Sequence, residues 1–165
     1  AGCERNLLRS RPLQQNWRPF AGVEPMSSAV CVDASFALKL VLSEEDSEAV
    51  AAKWEEWAQE NRVVLAPHLF FCEVVAVLRN KVWRKELTPV QGKQALKIIL
   101  SQGVFPWYVP ELNFKAWEIA EKLGLPTAYD AFYAALAILT GCEFWTGDRR
   151  LQDKFHLLDV RLGRL

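Results

Sequence analysis

An α/β fold is predicted by three features of the sequence. From Met26 onward, short β-branched runs alternate with segments of helical period. Prolines, glycines and hydroxyl residues stand where those segments begin and end. The length of 165 residues, 51% of them hydrophobic, suits a single compact domain.

AVCVD (29–33) reads as a buried strand and runs directly into ASFALKLVL. SEAVAAKWEEWAQEN (47–61) is a helix with an acidic face, followed by a second strand at VVLA (63–66). Pro67 is expected in the first turn of the next helix, where its missing N–H has no partner to lose. That helix, over 68–84, is apolar nearly all round in its first half, so it is expected at the centre of the fold. Thr88 and Pro89 supply an N-cap and a first turn for a helix over 88–102. FPWYV (105–109) reads as a strand. Helices over 113–124 and 130–141 end on Gly124 and Gly141, residues suited to C-caps. EFWT (143–146) is a strand leading into GDRRLQDKF.

Twenty basic and twenty acidic side chains cancel, so no global charge advertises a polyanion partner. The apolar content excludes disorder. Uncharged stretches such as Ala131 to Cys142 fall well short of the about 20 apolar residues that cross a bilayer, so no membrane span is expected. Cys3, Cys31, Cys72 and Cys142 show no CxxC spacing, and His68 and His156 no ligand spacing, which excludes a zinc knuckle. The last three cysteines lie in apolar runs and are expected to be buried, reduced thiols, pointing to the cytoplasm. Residues 1–25 carry four arginines against two glutamates and no apolar signal core. They are set apart as an N-terminal extension, with the domain over 26–165.

Four carboxylates stand where the hydrophobic pattern has no place for charge. Asp33 ends an uncharged strand, and Glu73 is the only charged residue between Arg62 and Arg79. Asp130 opens a helix with no further charge until Glu143, and Asp148 follows the strand EFWT after one glycine. A buried carboxylate must be paired, protonated or metal-bound. Neither Arg79 nor Lys81 is at a pairing distance along the helix from Glu73. Arg149 and Arg150 sit beside Asp148 but on other faces of the next turn. Asp33 and Asp130 each also read as N-caps. In an α/β sheet, strand C-termini and the helix N-termini after them collect at one edge, where ligands bind. Four acids meeting there would repel one another unless a cation neutralised them. An all-oxygen set suits Mg²⁺ or Mn²⁺ over zinc, and the chemistry implied is phosphodiester hydrolysis.

VCVDASFALKLVL, FFCEVVAVL, YDAFYAALA and FWTGDRRL, in that order, closely resemble the PIN domain, in particular the VapC-type toxins of bacterial toxin–antitoxin pairs. The resemblance runs from residue 29 to about 160. It implies a three-layer sandwich with a central parallel sheet flanked by helices, a Mg²⁺- or Mn²⁺-dependent ribonuclease, a homodimer, and a cognate antitoxin that blocks the site. Asp33, Glu73, Asp130 and Asp148 match the family's four acids, as metal ligands and catalytic residues. Ser35 and Thr146 match small hydroxyl positions that orient ligands or water. Asp153 is expected at the surface.

Charge is uneven along the chain. Six basic residues between Arg79 and Lys97 face Glu86 alone, whereas 44–60 holds seven acids against Lys53. Arg84 and Lys85, with Arg149 and Arg150 beside the acids, are expected to contact RNA phosphates. Trp54, Trp57 and Trp83 read as core or interface. Two alternatives keep the fold: an RNA-processing nuclease without antitoxin, and a catalytically silent scaffold. A haloacid-dehalogenase-like phosphatase would need a second Asp where Ser35 stands, and a dinucleotide-binding enzyme would need a GxGxxG turn.

Overall fold

A computed structural model describes residues 28–165, and the proposed extension over 1–25 and the boundary at Met26 lie outside the described residues. The element order is β1 (Ala29–Val32), α1 (Ala34–Leu38), α2 (Ser47–Gln59), β2 (Val63–Pro67), α3 (Leu69–Trp83), α4 (Pro89–Leu100), β3 (Phe105–Trp107), α5 (Glu111–Lys122), α6 (Tyr129–Thr140), β4 (Glu143–Trp145) and α7 (Arg149–Phe155). All strand pairs are parallel, in the order β3-β2-β1-β4. β1 is therefore central, and every residue of it is buried. Pro106 lies in edge strand β3, the position in a sheet where a residue without an N–H is tolerated.

Alternation along β4 shows the two faces of the sheet. Phe144 packs toward Tyr133 of α6 and Phe155 of α7. Trp145 turns the opposite way, onto Phe36 of α1 and Trp57 of α2. Val50, Trp54 and Trp57 form the buried stripe of α2, at spacings of four and three residues. α4 begins as its sequence indicates, with a capping box between Thr88 and Gln91 and Pro89 in the first turn. Gly124 and Gly141 follow α5 and α6 with φ of +60° and +67°, the left-handed conformation expected of them.

Three expectations are corrected. Pro67 does not start a helix. It is the last residue of β2, paired with Trp107, and His68 occupies the N-cap position. α3 is not central either: only Phe70, Val74 and Leu78 are buried, while Val75 and Val77 are exposed. Cys72, on that helix, is exposed, so only Cys31 and Cys142 of the described thiols are buried. Burial holds both of those thiols above their ordinary pKa, as neutral groups. Trp54 and Trp57 are core, but Trp83 is exposed. No helix among the described residues is long and apolar enough to cross a membrane.

The chain after α7 returns to the sheet. Phe144 N donates to Arg161 O at 2.8 Å and Gly163 N to Phe144 O at 2.9 Å, forming a parallel bridge between Leu162 and β4. Gly163 lies flat on the Trp145 indole, and a Cβ there would stand 1.9 Å from Cε2. Gly163→Ala is therefore expected to lift this segment off the sheet at a cost of about 1–3 kcal/mol. A thermal melt should fall by several degrees with a change in tryptophan emission; an unchanged melt and spectrum would contradict the close approach.

Candidate active site

The chain steps from β1 to β2 to β3 on one side and places β4 on the other side of β1, so strand order reverses between β1 and β4. Ligands of open α/β sheets bind outside the strand C-termini at such a point. Asp33 stands there, one residue past β1. It is the N-cap of α1, with Oδ1 accepting from Phe36 N at 2.7 Å and from Ser35 Oγ at 2.8 Å. Its other oxygen accepts from the Thr146 hydroxyl, one residue past β4. Ser35 Oγ in turn accepts from Gly147 N at 3.0 Å, and Thr146 Oγ1 from Asp148 N at 3.0 Å. The two hydroxyls thus lock together the loops that follow the two central strands. Asp33 is 4% exposed, and burial raises its pKa despite these donors.

The other three acids arrive from helices. Glu73 lies in the second turn of α3 and accepts a hydrogen bond from the Tyr133 hydroxyl of α6. Its pKa is raised by burial, with the charges of Asp33 and Asp130 adding to the effect and the tyrosine bond opposing it. Asp130 is the second residue of α6. It is not the N-cap, as its sequence position suggested, because Ala128 holds that place. Burial raises the pKa of Asp130, and the charge of Asp148 raises it further. Asp148 caps α7, accepting from Arg150 N at 2.8 Å. The Arg150 guanidinium also reaches it at 3.6 Å, contrary to the expectation that the neighbouring arginines point elsewhere; the pair is exposed and contributes little.

All four carboxylates line one cavity of about 410 Å³, with Ser35 and Tyr133 in its wall and Thr146 buried behind. A fifth acid, Glu44, joins them, and among the described residues Lys39 is the only cation in the lining. Lys39 is itself engaged, donating to Glu45 O at 2.7 Å and lying 3.5 Å from Asp46. Tyr133, Lys39 and Glu44 escaped the sequence reading. Tyr133 falls one helical turn after Asp130, a spacing that could have signalled a shared face. Among the described residues no three carboxylates, imidazoles or thiols stand close enough together to hold a metal ion as the side chains are placed. An open, carboxylate-rich cleft without nitrogen or sulfur ligands fits a hard divalent ion that keeps its own waters.

The expected RNA contacts divide. Arg149 and Arg150 are exposed and follow Asp148 directly in the chain without lining the cavity, with Arg149 3.5 Å from Glu45. Arg84 and Lys85 are exposed past the far end of α3, eleven and twelve residues beyond Glu73, or about 16 Å along the helix. They do not line the cavity. Asp153 is exposed, as expected.

The chain as a whole is similar to known proteins. VapC ribonuclease Mb0985 of Mycobacterium bovis is 34% identical over 124 residues, 75% of this chain and 89% of that protein. The crystal structure of PAE2754 from Pyrobaculum aerophilum superposes with a TM-score of 0.57 at 28% identity, covering 79% of this chain and 87% of that one. VapBC2 from Rickettsia felis, solved bound to a DNA fragment from its promoter, gives a TM-score of 0.61 over 82% of this chain and 97% of that one. At 17% identity this last likeness speaks for the fold alone. The sequence pattern of the PIN domain matches residues 30–155, from the middle of β1 to the end of α7, and so takes in all four acids. By fold, by sequence match and by its relatives, the chain belongs to the PIN domain family.

Proposed function

We propose that the protein is a VapC-type endoribonuclease, the toxin of a toxin–antitoxin pair, and that it hydrolyses RNA phosphodiester bonds with a divalent cation held by Asp33, Glu73, Asp130 and Asp148. The observation that carries this reading is the convergence of four acids, 115 positions apart at the extremes, on one cavity whose described lining holds a single lysine. The relative named a VapC ribonuclease supports RNA as the substrate. A cognate antitoxin, a homodimer and a cytoplasmic location belong to the same reading.

Mg²⁺ or Mn²⁺, when bound, supplies charge neutralisation, polarisation of the phosphoryl oxygen and activation of water. The protein supplies the rest. Asp33, fixed by three donors, is the immobile anchor of the set. Asp130 or Asp148 takes the proton of the attacking water at a carboxylate oxygen. Water adds to phosphorus as the 3′-oxygen departs, giving 5′-phosphate and 3′-hydroxyl ends. The silent-scaffold alternative is disfavoured because none of the four acids is lost or turned away from the cavity.

Labelled RNA incubated with the purified protein should be cut with Mg²⁺ or Mn²⁺ and remain intact in EDTA. Equal cleavage in all three conditions would remove the metal-dependent reading.

A further inference from the structure

We propose that Tyr133 is a positioning residue for Glu73: its phenol engages one carboxylate oxygen and leaves the other available to a cation in the cleft. The inference rests on the nuclease reading above and adds to it a residue outside the four acids.

The geometry is specific. The Tyr133 hydroxyl donates to Glu73 Oε2 across 60 residues of sequence, joining α6 to α3. The ring cannot wander, since Tyr133 is 2% exposed and stacks on Phe144 at 6.2 Å between centroids. Glu73 is otherwise unrestrained. Among the described residues no group donates to its Oε1, and that atom is not sealed from solvent. A glutamate on a half-exposed helix face samples several rotamers, and ordering it costs entropy whenever it must bind. A charge-assisted bond from a fixed donor removes that freedom beforehand. Partners of this kind orient metal-binding carboxylates and set their affinity. Tyr133 also faces the cavity from the helix that carries Asp130, one turn later, so a single rigid element sets the relative placement of two of the acids.

A buried phenol needs a hydrogen-bond partner whatever its role. The alternative is therefore that Glu73 merely satisfies Tyr133, and the two accounts predict different readouts. Tyr133→Phe keeps the ring and its stacking and deletes only the donor. If Tyr133 positions Glu73, the metal-free melting temperature stays within a few degrees of wild type. The Mn²⁺ dissociation constant, read by titration of the free-ion paramagnetic resonance signal, rises about tenfold or more. The turnover rate falls by a similar factor while the KM for RNA holds. In a Glu73→Gln background the same change should leave Mn²⁺ affinity where it is, because the two groups act as one unit.

Wild-type Mn²⁺ affinity and turnover in Tyr133→Phe, beside a Glu73→Gln variant that has lost both, would overturn the positioning role and leave the nuclease reading standing. A drop in melting temperature with unchanged Mn²⁺ affinity would likewise assign Tyr133 to stability alone. A wild-type protein that neither binds Mn²⁺ nor cuts RNA would overturn both.

Discussion

Asp130→Asn is expected to lower the rate of RNA cleavage by about 10²–10⁴-fold while leaving the fold intact. Among the four acids Asp130 gives the clearest test because the least structure depends on its charge. Asp33 caps α1 and receives two hydroxyls, and Asp148 caps α7. Glu73 holds the Tyr133 phenol. Asp130 caps nothing, and among the described residues it has no hydrogen-bond partner and no salt bridge. Asparagine has nearly the same volume, so packing against the buried α6 face is kept. Removing the charge also relieves the repulsion that Asp130 exerts on Glu73. The metal-free variant should consequently melt at or slightly above the wild-type temperature. A loss of cleavage then cannot be traced to unfolding. Single-turnover cleavage in Mg²⁺, with circular dichroism melts of both proteins, is the measurement. Wild-type rates in the variant would leave Asp130 without a chemical role and point to a contaminating nuclease.

Most of the fold was legible because its signals are local. The uncharged run Ala29–Val32, the Thr88–Pro89 start and the glycines at 124 and 141 each act on their own few residues. The acids were legible for a related reason: a carboxylate in an apolar run is anomalous before any partner is known. What pairs with them was not, because the partners come from other elements. Tyr133 meets Glu73 only once α6 has docked against α3, and Thr146 meets Asp33 only once β4 lies beside β1. Periodicity also fails on α3. A helix apolar on nearly all sides carries no record of which side is buried, and the structure buries three residues of one stripe. Pro67 was misplaced because a proline suits a helix start as well as a strand end, and β3 decided between them. For Arg84 and Lys85, the charge pattern gave the sign of a surface but not its distance from the site.

The metal-free protein is expected to lose stability as pH rises from about 4 toward 8, and divalent metal should restore it. Asp33, Glu73 and Asp130 all have pKa values raised in the folded state, each by burial first. A folded state that holds protons more tightly than the unfolded chain is favoured below the ordinary carboxylate range. That contribution disappears as pH climbs through the raised values, where ionisation places several negative charges in one cleft. A cation removes this penalty by binding only the folded form. At a hundredfold excess over its dissociation constant, mass action adds about 2.7 kcal/mol. In a domain of this size each kcal/mol moves the melt by about 2–4 °C, so Mg²⁺ or Mn²⁺ at neutral pH should raise it by roughly 5–10 °C. The same addition at acid pH should do less, since protons compete with the cation for Asp33, Glu73 and Asp130, whose proton affinities are raised. Asp130→Asn should shrink both the pH dependence and the metal response, because it removes one of the three raised groups and one ligand together. Differential scanning calorimetry across pH, in EDTA and in metal, reads all of these. A melting temperature that rises from pH 4 to 8 in EDTA and ignores the metal at neutral pH would mean that the acids do not share an electrostatic cleft, and the proposed cation site would go with it.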